Sequence, residues 1–355
     1  MALTRLSLTD FRNHAAASIF PAEDFIVLHG ANGDGKTNIL EALSLLVPGR
    51  GLRRAAIADI ARKGGKGGFT VLASIDDIVL GTGVEVGTPE RRKVRINSAP
   101  ASINALAEWL AIIWLTPAMD RLFADSAGGR RRFLDRLVLA IDPAHARCSS
   151  RYEKAVQERN RLLQSGERPD PRWLDAIESA MAENAAMINA GRNTIMMRLQ
   201  QRLAASPAGL FAIPDLKLDK PASEDAEQLQ DIWRASRGRD KAAGRTLSGP
   251  HRADLIVHHT GTGQAASLCS TGEQKALLLS TILAHADLVT EIRGQPPIIL
   301  LDEVAAHIDP ARRSALFEKL ALTGGQIWMT GTEYNLFSAL EGKAHFIEVS
   351  EGALS

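Results

Sequence analysis

The sequence is poor in cysteine and carries almost no net charge. Its 355 residues include only two cysteines, Cys148 and Cys269, which lie far apart. Because no Cys-x-x-Cys pair or Cys/His cluster occurs, we expect neither a zinc site nor a disulfide framework. Lysine and arginine together number 42 against 41 acidic residues, so the net charge is only +1. A polyanionic partner would therefore have to bind to a local basic patch.

Long apolar runs and a leader pattern are also missing. The longest apolar candidate, residues 276–289, is interrupted by His285 and Asp287, so no membrane-spanning helix is expected. The first residues alternate apolar and polar like a strand, and they lack the basic start and apolar stretch of a signal peptide. We therefore expect a cytoplasmic protein. With 45% hydrophobic and 23% charged residues, the composition is that of a globular protein, with about two domains at roughly 150 residues each.

The predicted elements change along the chain from strands to helices and then to a mixture. In the first part, strands are predicted over residues 3–8, 25–28, 69–75, 78–86 and 93–96, with a helix over 38–47. From about residue 102 to 239 the spacing favours helices, at 130–141, 151–164, 171–203 and 226–235. The last part alternates, with strands at 255–258, 298–301 and 326–330 and helices at 272–289 and 310–322. This order predicts an α/β domain split by a helical insertion.

A glycine-rich segment follows the predicted strand 25–28. It reads Gly30-x-x-x-x-Gly35-Lys36-Thr37, which matches the phosphate-binding loop in full. Glycines let the backbone N–H groups turn toward phosphate oxygens, and the helix that follows adds its positive N-terminal end. Lys36 would reach the β- and γ-phosphates, and Thr37 would bind Mg²⁺. The alternative is a simple glycine turn before a helix.

Two carboxylates follow the apolar strand 298–301. Asp302 would hold Mg²⁺ through its water shell, and Glu303 would be the general base that polarises the attacking water. A strand that ends in Asp-Glu is weak evidence alone, but downstream of a phosphate loop it supports an ATPase. Asp309, just before Pro310, is a further candidate, and its alternative interpretation is a helix cap.

The segment Ser270-Thr271-Gly272-Glu273-Gln274-Lys275 opens the helix predicted at 272–289. A helix N-terminus of this kind can bind an anion without a phosphate loop of its own. The alternative interpretation is a capping box that joins Ser270 and Glu273.

In this order, the three motifs resemble those of ABC-type ATPases. The opening strand with Asp10-Phe11-Arg12-Asn13 resembles the branch that contains the SMC, Rad50 and RecF proteins, and within it the RecF family. Three further stretches support the resemblance: residues 30–38, 130–135 and 247–252. The chain departs from the family pattern at three positions, which are Ala253 in a usual acidic pair, Glu273 where Gln is common, and Gly331 in a threonine-rich strand end.

The resemblance implies an α/β fold: an ABC-type ATPase head, with a P-loop NTPase sheet and an antiparallel β subdomain, split by a mostly helical insertion domain. The head would comprise residues 1–115 and 240–355, and the insertion residues 116–239. Because no long heptad stretch occurs, the insertion would form a short arm and not a long coiled coil.

The resemblance also implies how the protein works. ATP would join two copies as a homodimer, and slow, weakly DNA-dependent and Mg²⁺-dependent ATP hydrolysis would release them. The dimer would bind duplex, gapped and single-stranded DNA and act in DNA replication, recombinational repair and the SOS response. It would help RecR- and RecO-like mediators to load a RecA-type recombinase at gaps. The alternatives are a nucleotide-gated scaffold with negligible turnover and a transporter-type ATPase subunit.

Motifs and resemblance together give the candidate site. The catalytic candidates are Lys36, Asp302 and Glu303, and the Mg²⁺ ligands would be Thr37 and Asp302. The nucleotide-binding candidates are Gly30, Ala31, Asn32, Gly33, Asp34, Gly35, Lys36, Thr37, Arg12, Ser270, Gly272, Gln274 and Asp309. The DNA-contact candidates are Arg130, Arg131, Arg132, Lys63 and Lys66. Acidic residues that interleave with these arginines also fit a solvated helix face with ion pairs.

Overall fold

The computed structural model describes residues 2–165, 170–205, 211–219, 223 and 225–355, which form two compact units. One unit consists of Met1–Asp120 and Ile282–Ser355, with a short piece that ends at Phe211. The other consists of Arg121–Pro207 and Ala212–Thr281. The predicted boundaries at 115 and 240 follow the order of the motifs and not compactness, and they stay a prediction.

The secondary structure is numbered here in chain order. The strands are β1 (Arg5–Phe11), β2 (His14–Ile19), β3 (Phe25–His29), β4 (Phe69–Ile75), β5 (Ile78–Val84), β6 (Arg92–Ile96), β7 (Ala99–Ala101), β8 (Ile112–Leu115), β9 (Pro214–Asp219), β10 (Asp254–His259), β11 (Ile298–Leu301), β12 (Ile327–Gly331), β13 (Ala344–Ser350) and β14 (Ala353–Leu354). The α-helices are α1 (Lys36–Ser44), α2 (Leu106–Trp109), α3 (Ala127–Ile141), α4 (Ala144–Gln164), α5 (Pro171–Ala204), α6 (Ala226–Ala243), α7 (Thr271–Arg293) and α8 (Pro310–Leu322).

A sheet of parallel strands forms the centre of the first unit. Its order is β14-β13-β3-β12-β11-β8, and only the short edge strand β14 is antiparallel to its neighbour. β8 and β11 are apolar and buried along their whole length, which is typical of parallel strands covered on both faces. Because β3, β12 and β11 are adjacent and parallel, the segments that follow them meet at one edge of the sheet, where α/β proteins bind their ligands.

A second sheet of the first unit is antiparallel, with the order β2-β1-β4-β5-β6-β7. β4 alternates buried and half-buried or exposed residues, as expected for a sheet with one face toward the core. Leu8 and Val71 share a single hydrophobic core with Ile39, Leu40 and Leu43 of α1. The helix that starts at the phosphate loop is thus fixed by apolar packing on its buried side.

The second unit is built from α3, α4, α5 and α6 with the antiparallel strand pair β9 and β10. Its helices enclose the fully buried Arg159, which donates to Glu178 on α5 and Asp240 on α6, each at 2.8 Å. A buried charge is tolerated only when it is paired in this way. In the part of the chain that the structure describes, no helix combines the length and apolar character that a membrane span requires.

The helical prediction for residues 102 to 239 is wrong at two places. Ile112–Leu115 forms β8 and Pro214–Asp219 forms β9. A short apolar run has no periodicity that separates a strand from a helix, so its neighbours in the sheet decide. The bounds of two long helices agree better with the prediction. α8 has the predicted bounds, and α5 ends one residue after the helix predicted at 171–203.

Candidate nucleotide-binding site

The phosphate-binding loop has a backbone that favours glycine at three positions. Gly30, Gly33 and Gly35 have φ of 147°, 96° and 110°, a region that residues with side chains rarely adopt. At Gly35 space is also short, because a Cβ would lie 2.5 Å from Asn13 Oδ1. α1 begins at Lys36, and Gly35 at its N-cap has no side chain that could cap it. The N–H groups at the start of α1 can therefore bind an anion.

Lys36 folds back over the loop. Its Nζ donates to the carbonyl oxygens of Gly30 at 2.8 Å and Ala31 at 2.7 Å, and the residue is buried. These partners carry no full negative charge, so the ammonium group is hydrogen-bonded but not neutralised by them. Ala31 and Asn32 are exposed at the crown of the loop. The lysine charge thus lies within the loop that would surround a phosphate.

Thr37 and Asp302 meet across the edge of the sheet. Thr37 Oγ1 donates to Asp302 Oδ1 at 2.7 Å, although the residues are 265 positions apart. Asp302 is buried, while the next residue, Glu303, is half-buried and has a left-handed φ of 51°. The structure therefore brings the hydroxyl and the carboxylate proposed for Mg²⁺ into direct contact.

Thr330, near the end of β12, is a site residue that the sequence reasoning missed. Its Oγ1 donates to Asp302 Oδ1 at 2.8 Å and accepts from the backbone N–H of Glu303 at 2.9 Å. It thereby fixes both acidic residues. The predicted strand 326–330 ends at this threonine, but only the pairing of β12 with β11 in the sheet places it beside Asp302. Glycine at position 331 departs from the threonine-rich strand end of the family pattern. The reason is packing, since a Cβ at this position would overlap the ring of Phe337.

Comparison with known proteins identifies the family. Residues 2–351 match the family model described as RecF/RecN/SMC N terminal domain. The chain is 50% identical to the DNA replication and repair protein RecF of Mesorhizobium japonicum, across 99% of this chain and 97% of that one. The chain belongs to the RecF family. The RecF protein of Agrobacterium fabrum is 47% identical, across 100% of this chain and 98% of the relative.

Solved structures show the same fold. A structure of the recombination mediator protein RecF-ATP in the RecFOR pathway has a TM-score of 0.83 at 21% identity, covering 99% of this chain and 98% of that one. The Smc head domain of Pyrococcus furiosus, solved with an extended coiled coil and bound to the C-terminal domain of ScpA, has a TM-score of 0.56 at 15% identity. It covers 100% of this chain and 95% of that one. The predicted fold class, an ABC-type ATPase head of mixed α/β structure, is confirmed.

Arg12 of this RecF-family chain is bound to the helix that follows the phosphate loop. Its guanidinium makes two hydrogen bonds to the fully buried carboxylate of Glu41 on α1, at 2.8 Å and 2.6 Å. A third hydrogen bond, at 2.9 Å, goes to the carbonyl oxygen of Asp59. Arg12 thus anchors α1, and its contact with a nucleotide stays a prediction.

The segment of residues 270–275, called the signature segment below, lies in the second unit at the start of α7. Ser270 and Glu273 form the capping box: Ser270 N and Oγ each donate to Glu273 Oε2 at 2.8 Å, and Ser270 Oγ accepts from Glu273 N at 3.3 Å. The hydrogen bonds from Ser270 lower the pKa of Glu273. Gln274 is buried and donates to the Cys269 carbonyl, while Gly272 is exposed with open space around it. The helix end is therefore accessible, and nucleotide contact by this segment stays a prediction.

Asp309 caps α8. Its Oδ1 accepts from the backbone N–H of Arg312 at 3.0 Å. The alternative interpretation of this residue as a helix cap therefore describes the structure, and a role at the nucleotide stays a prediction.

The DNA-contact candidates differ in how far they are already paired. Arg130 makes two hydrogen bonds to Asp254, at 2.8 Å and 2.6 Å, and the hydrogen bond to Asp254 raises the pKa of Arg130. Asp254 is the remaining acidic residue of the pair in which Ala253 departs from the family pattern. The chain therefore keeps the carboxylate that binds Arg130. Arg131 donates to the Ala253 carbonyl at 2.8 Å, whereas Arg132 is exposed. Arg132 is thus the member of the triplet best placed to reach a phosphate.

The two lysine candidates lie in the glycine-rich turn before β4. Lys63 and Lys66 are both exposed. The turn is held at its base by Arg62, whose Nε donates to Asp10 Oδ1 at 2.7 Å. These lysines are available to an anionic partner, and their contact with DNA stays a prediction.

Proposed function

We propose that this protein binds ATP with Mg²⁺ and hydrolyses it slowly. The observation that carries the proposal is the 2.7 Å hydrogen bond from Thr37 Oγ1 to Asp302 Oδ1. Hydroxyl and carboxylate oxygens are the hard ligands that Mg²⁺ prefers, so this pair fits the ion. Bound there, Mg²⁺ would neutralise the charge of the phosphates. Lys36 would bind phosphate oxygens, and Glu303 would orient and deprotonate the attacking water.

ATP would join two copies of the protein as a homodimer. The start of α7 is exposed around Gly272, and a helix N-terminus of this kind attracts phosphate. The signature segment of one copy would bind the nucleotide held by the phosphate loop of another. In this arrangement residues 1–115 and 240–355 act as the ATPase head and residues 116–239 as the arm.

DNA is the partner that we propose for this protein. Relatives at 50% and 47% identity are DNA replication and repair proteins. The protein would bind duplex, gapped and single-stranded DNA in replication, recombinational repair and the SOS response. It would help RecR- and RecO-like mediators to load a RecA-type recombinase, with DNA weakly stimulating ATP hydrolysis. Arg132, Lys63 and Lys66 are exposed cations that could contact DNA phosphates.

Duplex DNA binding with ATP, with ADP and without nucleotide, repeated across salt concentrations, tests the link from ATP to DNA. We expect binding that requires ATP and weakens steeply as salt rises, because phosphate contacts release counterions. Equal binding in all three states would contradict the proposal.

Arg132→Ala, with Arg132→Lys as the matched control, tests α3 as a DNA contact. A phosphate contact made by charge would survive in the lysine variant. Loss of the charge in the alanine variant should reduce the salt slope by about one. If both variants keep the slope of the parent protein, Arg132 does not contact DNA.

Glu303→Gln tests hydrolysis separately from binding. The amide cannot accept a proton, so turnover should fall by about a hundredfold or more while ATP still binds. A variant that changes neither ATP turnover nor the lifetime of the complex would favour a nucleotide-gated scaffold.

A further inference from the structure

The last residues of the chain lie against the phosphate-binding loop. The turn between β13 and β14 donates from Gly352 N to the Asp34 carbonyl at 3.0 Å and from Glu351 N to Asp34 Oδ1 at 3.4 Å. The Val349 carbonyl sits so close to Gly30 that a Cβ on this glycine would overlap it. The β13–β14 turn thus forms one wall of the loop, although it is more than 300 residues away in sequence.

His14 bridges the turn and the loop. Its ring is fully buried, with Nδ1 2.8 Å from the Gly352 carbonyl oxygen and Nε2 3.1 Å from the Gly35 carbonyl oxygen. A neutral imidazole can donate to one of these oxygens, and a protonated ring can donate to both. In either form the ring sets the spacing between the last glycine of the loop and the turn.

Asn13 completes the contact from the other side. Its Nδ2 donates to the Asp34 carbonyl at 2.8 Å, so Asp34 O accepts from both Asn13 and Gly352. The turn can approach this closely because residue 352 is glycine. It has a left-handed φ of 85°, and a Cβ there would lie 2.6 Å from the Asn13 carbonyl oxygen.

We infer that the turn at Glu351 and Gly352, together with His14, is a positioning element of the nucleotide site. These residues hold the backbone of the phosphate loop in its anion-binding form, so the loop does not have to become ordered when nucleotide binds. Preorganisation of this kind raises affinity because ordering costs are already met in the free protein. The inference rests on the proposed ATP binding.

Gly352→Ala, compared with Gly342→Ala, is the test. Gly342 also has a left-handed φ, 73°, but a Cβ there meets nothing within 4 Å. Both substitutions therefore strain the backbone, and only the first displaces the turn from the loop. Titration of the full-length protein with a fluorescent ATP analogue should show about tenfold weaker binding for Gly352→Ala and less than about twofold for Gly342→Ala.

His14→Phe keeps a ring of similar size and removes both contacts, so it tests the inference even if Gly352→Ala does not fold. We expect a raised KM for ATP with kcat at saturation near that of the parent protein. General destabilisation would not produce this split. The inference is overturned if His14→Phe and Gly352→Ala bind ATP like the parent, or if Gly342→Ala loses as much affinity as Gly352→Ala. If the parent protein itself does not bind ATP, the proposed function and this inference both fail.

Discussion

Lys36 in the first compact unit and Arg159 in the second are both buried cations, but they are used in opposite ways. Arg159 donates to the carboxylates of Glu178 and Asp240, and it also binds the hydroxyl of Thr246 and the carbonyl of Trp233. Lys36 donates to two backbone carbonyls of a glycine-rich loop. A cation whose charge is already neutralised stabilises the fold, and one held by neutral acceptors can attract an anion.

The largest effect is expected from Arg159→Met. This change leaves the buried carboxylate of Asp240 without its cationic partner and leaves Glu178 paired with Arg237 alone, which should cost about 3–5 kcal/mol of unfolding free energy. Chemical denaturation measures the loss. ATP affinity of the folded fraction should stay near that of the parent protein, and a large loss of affinity at unchanged stability would contradict the comparison.

The same substitution at the other cation, Lys36→Met, should reverse the pattern. ATP affinity should fall by about a hundredfold, since charge-assisted hydrogen bonds to phosphate are lost. The free energy of unfolding without nucleotide should change little, because the partners of Lys36 are backbone carbonyls of an exposed loop. Equilibrium ATP titration and denaturation of one preparation give both values. If Lys36→Met binds ATP with unchanged affinity, the proposed role of the phosphate loop is wrong.

Thr330 provides a third case, because its hydroxyl contacts the two acidic residues proposed for catalysis, through Asp302 Oδ1 and the Glu303 N–H. Thr330→Val keeps the shape of the side chain and leaves the Glu303 N–H without its acceptor. ATP hydrolysis should fall by about tenfold, while Thr330→Ser, which keeps the hydroxyl, should remain close to the parent. Steady-state kinetics of the two variants decide the point, and equal rates for valine and serine would show that the hydroxyl is not needed.

The last effect is confined to low pH and concerns the acid stability of the second unit. Burial alone would raise the pKa of Asp135, but the hydrogen bond from His145 and the charge of Arg192 outweigh it and lower the pKa to about 2. A carboxylate whose pKa is lower in the folded state than in the unfolded chain stabilises the fold at pH values above its unfolded pKa. This stabilisation is lost as pH falls from about 4 to about 2.

Asp135→Asn should therefore flatten the dependence of unfolding free energy on pH in that range. The exposed Asp231 gives a matched control, because Asp231→Asn should leave the acid dependence as it is in the parent. If the unfolding free energy of Asp135→Asn and of the parent protein depends on pH in the same way in this range, Asp135 does not contribute to acid stability.

The arginine triplet shows where prediction from composition stops. Arg130, Arg131 and Arg132 are equivalent as a run of charges, yet Asp254 and the Ala253 carbonyl hold the first two. These partners lie more than 120 residues further along the chain, so no local pattern could identify them. For β8 and β9 the reason is similar, since their strand form depends on neighbours in a sheet.

Features that depend on nearby residues could be predicted from the sequence. The spacing of glycines in the phosphate loop, the capping box at Ser270 and the bounds of α8 follow from contacts within a few positions. Other features required the folded protein: Thr37 contacts Asp302, Thr330 contacts both acidic residues, and His14 joins the loop to the β13–β14 turn. These contacts link segments that are far apart in sequence, and only the packing of a common sheet and core brings them together.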